Sequence, residues 1–362
     1  MAVPVRDDDR RGVAGIRAAG GAQPEADPVA HSGILEGDAR RAVLHASQVR
    51  ALAAAPDLHR PVAARGDSRD RGHHGESILA RSLLELTKPR ITQLVLLTAA
   101  AGFYLGAQGR VDVLLLVNTL IGTALVAGGT NAWNQIRERD VDARMARTRR
   151  RPLPSGRLTP RAAIWFASAI TAGGVAYLGA TVNLLTAALA ALTFASYVLL
   201  YTPLKRTTSL NTLVGAVPGA LPIVGGWTAA GGSLGAAVAA LFWILFLWQL
   251  PHFLALAWLY REDYRASGLR MLSVADDDGR DTGRMALLYA MALLPISLLP
   301  TLLGVTGAWY FLGALVLGIG YVAAGTGLLI GATPGRAWRL FFVSIVYLPA
   351  LLTLMVLDKV AA

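Results

Sequence analysis

From Leu84 onward the chain is a succession of apolar stretches, each about long enough to cross a lipid bilayer and each followed by a short polar segment. A spanning helix needs roughly 20 mostly apolar residues, because no backbone amide can be left unpaired in hydrocarbon. Nine spans are predicted, over 91–108, 113–136, 162–180, 182–200, 209–229, 233–258, 284–303, 307–330 and 338–357. The expected fold is all-α, a polytopic membrane protein with nine transmembrane helices. The charge content agrees: only 16% of residues are charged, against roughly 25% in a soluble domain.

The polar connections alternate in charge. Those after the second, fourth, sixth and eighth spans hold the Arg and Lys clusters. Those around Gln108, Asn183, Gly231 and Gly304 hold at most one basic residue each. The positive-inside rule then places the N-terminus in the cytoplasm and the C-terminus outside, as an odd number of spans requires. The net charge of +11 is therefore a property of the loops, and is read as topology and anion binding rather than as a nucleic-acid surface. Residues 1–77 are expected to be a disordered tail preceding a membrane domain over 78–362. The first 75 residues carry eleven Arg against ten Asp or Glu, with no apolar run long enough for a core or a signal peptide. Absence of cysteine excludes disulfides, Cys zinc sites, iron–sulfur clusters and a thiol nucleophile.

The loop after the second span carries the densest chemistry. Asn134, Glu138 and Asp142 stand at i, i+4 and i+8, so a helix continuing through them projects all three from one face. Oxygen ligands in such a row suit a hard divalent cation, and magnesium in particular takes one or two carboxylates together with substrate phosphates. The plain alternative is a helix end whose charges merely stop the span. Residues 137–161 hold nine Arg and three acidic residues, more positive charge than topology needs. Arg147 and Arg151 are the best placed to bind phosphate oxygens, although such a loop can also lie on anionic lipid.

A second cluster follows the sixth span, with Trp248-Gln-Leu-Pro251-His252-Phe253 and then Tyr260-Arg-Glu-Asp263-Tyr264. Lys205-Arg206, after the fourth span, adds a third contact on the same expected side. His252 is the one histidine of the membrane part. It follows a proline expected to loosen the helix and free a carbonyl at Trp248. A single helical histidine can be a packed, hydrogen-bonded residue, but an ionisable group inside a span is costly to keep.

Taken in order, these segments resemble the UbiA-type intramembrane prenyltransferases, and among them the branch that farnesylates haem. The resemblance rests on Lys88-Pro-Arg-Ile-Thr92, on Asn134 to Leu153, on Tyr201 to Thr212, on Gly215-Ala-Val-Pro-Gly219-Ala, and on the segments from Trp248 and Tyr260. It implies helices around a central cavity and magnesium-dependent transfer of farnesyl from farnesyl diphosphate to the vinyl group of haem B, giving haem O and diphosphate. It further implies a multi-pass protein of the cell membrane with its site facing the cytoplasm, lipid around it, and a haem A synthase as the suggested protein partner. By motif position, Asn134, Glu138, Asp142 and Asp263 would hold magnesium. Arg147, Arg151, Lys205 and Arg206 would bind diphosphate, and Trp248 and His252 would lie near the tetrapyrrole. The chain departs from the pattern at Asp263, which lacks a full aspartate triplet and leaves a second metal open, and at Ile223 and Ser273, where prolines are expected. Two other readings stand beside this one: a family member that prenylates a quinone precursor, and a cation-coupled transporter. The latter is disfavoured because Glu138, Asp142 and Asp263 all fall at one interface rather than at mid-membrane.

Overall fold

The computed structural model describes residues 68–360, so residues 1–67 of the tail expected over 1–77 lie outside the described residues. Among the described residues the chain is helical, with no strand. A helix α1, Ser68–Leu86, begins inside the stretch assigned to the tail. It is followed by α2 (Pro89–Gly106), α3 (Val113–Asp142), α4 (Pro160–Thr181), α5 (Leu184–Leu204), α6 (Asn211–Ala229), α7 (Ala236–Leu259), two short helices α8 (Arg261–Ser267) and α9 (Leu272–Ala275), then α10 (Arg280–Leu302), α11 (Ala308–Ile330) and α12 (Pro334–Leu357).

Every expected span coincides with one of these helices. Eight are long and apolar enough to cross a membrane. The first expected span, α2, has 18 residues and opens with Pro-Arg-Ile-Thr-Gln, which leaves it less apolar than the others. The ends are set by local chemistry. Asp112, Thr159, Asn183 and Thr333 each accept a backbone N–H from the first turn of α3, α4, α5 and α12, satisfying donors that would otherwise be orphaned. Pro89, Pro160 and Pro334 open α2, α4 and α12, where a missing N–H costs nothing.

Consecutive helices pair as α3 with α4 and α10 with α11, but α2 packs on α6, and α7 lies against α6, α10 and α12. The α2–α6 crossing is close because it is built from small residues. A Cβ at Gly102 would strike the Ile223 carbonyl, and one at Gly226 the Ala99 carbonyl, so dispersion between backbones holds a pair that lipid gives no hydrophobic reason to associate. Ile223 is buried at this crossing. The apolar core includes Leu241, Leu245, Trp248, Leu293, Tyr310, Tyr321, Tyr347 and Leu351. The outer surface is apolar as well, with Leu184, Leu199, Val316 and Phe342 exposed, the arrangement hydrocarbon solvent requires. Trp165, Trp309 and Trp338 are exposed near the starts of α4, α11 and α12, where amphipathic rings sit at a bilayer interface. At the far end Lys359 Nζ donates to the carbonyls of Tyr104 (2.7 Å) and Ala107 (2.6 Å), while Asp358 accepts the Tyr310 N–H at 2.7 Å. The chain's last turn thereby ties α2 to α11.

Candidate active site

The row at the end of α3 forms as its spacing requires. Asn134, Glu138 and Asp142 are 1%, 8% and 0% exposed, and a carboxylate that dry is retained only with a partner. Each meets a cation from a different part of the chain. Lys88 Nζ donates to Asn134 Oδ1 at 2.9 Å, Lys205 Nζ lies 2.8 Å from Glu138 Oε1, and Arg151 Nη1 lies 2.7 Å from Asp142 Oδ2.

Local structure delivers each cation. Lys88 occupies the turn between α1 and α2 and is the one described non-glycine residue with a left-handed backbone, φ 48°. That conformation costs a residue with a side chain roughly 1–2 kcal/mol, and it is held from α3. Gln135 Nε2 donates to the Leu86 carbonyl at 3.0 Å, and Asn131 Nδ2 reaches the Thr87 carbonyl and the Thr92 hydroxyl at 3.3 Å each. Burial, reinforced by the positive charge of Arg151, pushes the Lys88 ammonium down to about 7 against the opposing pull of Glu138.

Lys205 depends on an irregularity in α5, a π-helical turn over Ser196–Tyr201. Such turns are frequent at functional sites because they re-aim the side chains that follow. Here the Thr202 hydroxyl donates to the Tyr197 carbonyl at 2.8 Å and accepts Asn134 Nδ2 at 3.4 Å, while the Lys205 ammonium rests 4.5 Å from the centre of the Tyr201 ring. Gly215 of α6 makes room for that ring, since a Cβ there would meet it. Burial alone would push Lys205 down, but the Glu138 carboxylate overrides it and holds the ammonium well above the usual lysine range.

Asp263, on α8, is reached through Arg147. The guanidinium lies 3.8 Å from Asp263 Oδ2, donates to the Tyr264 hydroxyl at 3.2 Å, and sits 5.2 Å and 5.3 Å from the Tyr260 and Tyr264 ring centres. Among the described residues no three His, Asp or Glu side chains gather closely enough to hold a metal by themselves. The four expected ligands thus stand as three on one face of α3, paired with Lys88, Lys205 and Arg151, and one on α8, paired with Arg147. Among the four expected ligands, Asp142 Oδ1 is buried without a hydrogen bond. An orphaned carboxylate oxygen costs stability, and its hard, anionic character fits a divalent cation that takes its other ligands from phosphate and water. Arg206 is exposed and, among the described residues, makes no side-chain hydrogen bond or ion pair.

Trp248 and His252 come together elsewhere on α7, on the face toward α12. Trp248 Nε1 donates to the Ser344 carbonyl at 2.8 Å, and His252 Nδ1 lies 2.7 Å from the Ser344 hydroxyl. The imidazole is stacked between Trp248 and Phe341, with ring centres 5.4 Å and 4.8 Å away. The Trp248 carbonyl accepts the Tyr321 hydroxyl at 2.8 Å, but the carbonyl that Pro251 leaves without its helical N–H is that of Leu247, four residues back, not that of Trp248. Ala257, further along α7, packs with Val141 and Met145 beside the acidic row. Ser273, standing where a proline was expected, donates to the Ala257 carbonyl at 2.9 Å and fastens the loop to α7.

Sequence reasoning assigned no role to Lys88, Tyr201, Thr202, Tyr264 or Ser344. Lys88 lay inside a quoted motif and at the mouth of a span, which was a usable signal. Ser344 is one hydroxyl in an apolar run and carried none.

Comparison with known proteins shows the family and the fold. Residues 95–346 match the UbiA prenyltransferase family. The chain is 46% identical over 288 residues to a protoheme IX farnesyltransferase of Solibacter usitatus, covering 77% of this chain and 99% of that protein. It is 44% identical to one of Myxococcus xanthus, covering 78% and 96%. Among solved structures it resembles a digeranylgeranylglyceryl phosphate synthase at TM-score 0.66 and 18% identity, covering 77% of this chain and 98% of that one. It also resembles a UbiA homologue from Archaeoglobus fulgidus bound to GPP and Mg2+, at TM-score 0.57 and 17% identity, covering 76% and 99%. At these identities the structural likeness shows the fold.

Proposed function

The chain belongs to the UbiA prenyltransferase family, and from that premise we propose that it transfers a farnesyl group from farnesyl diphosphate to a vinyl group of haem B. Water adds at the neighbouring carbon, and haem O and diphosphate are released, for use in haem-copper oxidase assembly. The observation that carries the reading is the convergence of Lys88, Lys205 and Arg151 on the buried row Asn134, Glu138 and Asp142, in a chain 46% identical to a protoheme IX farnesyltransferase.

Asn134, Glu138 and Asp142 would hold magnesium, with Asp263, the partner of Arg147, as the fourth assigned ligand. Bound magnesium would draw charge from the diphosphate and ease its departure. Lys88, Lys205, Arg151 and Arg147 exchange their present partners for diphosphate oxygens, with exposed Arg206 at the rim. They stabilise the negative charge that grows as the carbon–oxygen bond breaks. The allylic cation so formed is attacked by the electron-rich vinyl carbon. Val141, Met145 and Ala257, packed in a buried apolar cluster beside the row, would help keep water from quenching the cation first. His252 and Trp248 are the residues we assign to the tetrapyrrole. The Arg-rich segment 137–161 and the Arg-bearing segment 261–270 support a site on the cytoplasmic side of the cell membrane, and a haem A synthase is a fitting recipient of the product.

Membranes holding the protein, supplied with haem B, farnesyl diphosphate and magnesium, should yield a more hydrophobic haem bearing one farnesyl and one hydroxyl group. Formation of a prenylated quinone precursor and no modified haem would refute the reading.

A further inference from the structure

Ser344 is fully buried in the middle of α12 and is engaged twice by α7, at its carbonyl by Trp248 and at its hydroxyl by His252. The hydroxyl also lies against the carbonyl of Phe341, one turn back. A serine hydroxyl has one hydrogen and a carbonyl has none to give, so a short contact between these oxygens needs the serine hydrogen between them. Toward His252 the Ser344 oxygen can then only accept. The imidazole must carry its proton on Nδ1, which leaves Nε2 a bare lone pair. Among the described residues Nε2 has no hydrogen-bond partner, yet it is not among the sealed, partnerless polar atoms, so it is open to a ligand.

We propose that Ser344 is a positioning residue that fixes the His252 tautomer, so that Nε2 is presented as a ligand to the iron of haem rather than as a hydrogen-bond donor to a haem propionate. The inference deepens the assignment of His252 to the tetrapyrrole and rests on it. A carboxylate has no hydrogen to offer a bare nitrogen, whereas iron takes one readily, and a second nitrogen held by a hydrogen bond is the usual way a metal-binding histidine is oriented. The flanking rings of Trp248 and Phe341 fix the plane of the imidazole, so its approach to the iron is set before haem arrives. Axial ligation from this point holds the macrocycle, and with it one vinyl group, in a single orientation relative to the diphosphate site.

The test is the absorption spectrum and affinity of ferric haem B bound to the purified full-length protein without farnesyl diphosphate. Ser344→Ala should shift the Soret band toward that of His252→Ala and weaken haem binding about ten- to hundred-fold, the usual loss when such a partner is removed. Ser344→Thr, which keeps the hydroxyl, should restore both. Nitrogen-15 spectra of the haem-free protein should show Nδ1 protonated in the wild type and a mixture of tautomers in Ser344→Ala, with His252→Ala identifying the signal. If His252→Ala leaves the haem spectrum unchanged, the assignment of His252 to haem fails. If His252→Ala shifts it but Ser344→Ala lowers only the melting temperature, Ser344 is structural and the inference fails. Haem conversion is assayed separately, so neither result is confused with failure of the prenyltransferase reading.

Discussion

The ion pair between Lys205 and Glu138 sits at the centre of the site, with side chains 14% and 10% exposed and 2.8 Å between charged atoms. Removing one member of so dry a pair strands the other, at about 3–5 kcal/mol, whereas replacing both by neutral groups of similar size is close to neutral. The two single variants should differ. Lys205→Met leaves the Glu138 carboxylate with only the more distant Lys88 to oppose it and should suffer the full cost. Glu138→Gln keeps an acceptor for the Lys205 ammonium, which also retains the Tyr201 ring at 4.5 Å, worth about 1–2 kcal/mol when desolvated. It should lose about 2–3 kcal/mol. At about 2 °C per kcal/mol for a chain of this size, the melting midpoint in detergent should fall by roughly 6–10 °C for Lys205→Met and 4–6 °C for Glu138→Gln. The double variant should return to within about 2 °C of the parent. Prenyl transfer should be lost in all three, because both groups are assigned to substrate. A double variant as unstable as the two singles added together would show that the pair is not coupled and that the electrostatic account of the site is wrong.

Three further outcomes follow from the same geometry. Asp142→Asn keeps the shape of the side chain but removes the charge opposite Arg151 and the orphaned oxygen offered to a cation, so turnover should fall at least a hundred-fold while the protein still inserts; near-native turnover with no dependence on added magnesium would contradict the ligand assignment. Because each member of the α3 row already faces a cation, magnesium alone should barely raise the melting temperature, whereas magnesium with inorganic diphosphate at about 100 times its dissociation constant should add about 2.7 kcal/mol of apparent stability, and an equal rise with magnesium alone would count against the pairing. Reporter fusions at Arg157 and Gly268 should read as cytoplasmic and those at Gly232 and Ala362 as external; an external reading at Arg157 would reverse the assigned face of the site.

What the sequence settles by itself is whatever the bilayer enforces one segment at a time. Each span must satisfy its own backbone in hydrocarbon, so the stretches over 113–136 and 338–357 announce helices without reference to any neighbour. The i, i+4, i+8 spacing likewise commits Asn134, Glu138 and Asp142 to one face as soon as α3 extends to them. Which cation meets which oxygen is a different kind of fact. Lys88 and Asn134 are 46 residues apart, Lys205 and Glu138 67, His252 and Ser344 92, and their meeting depends on α2 packing against α6 and on α7 seating against α12. Those crossings are decided by small residues such as Gly102 and Gly226 that let backbones touch, and by a π-turn in α5 that rotates Tyr201, Thr202 and Lys205 toward α3. None of this leaves a period in the sequence, since lipid-facing and helix-facing positions of a membrane span are both apolar. The same ambiguity hid Ser344, whose role exists only because tertiary packing brings one hydroxyl against one imidazole.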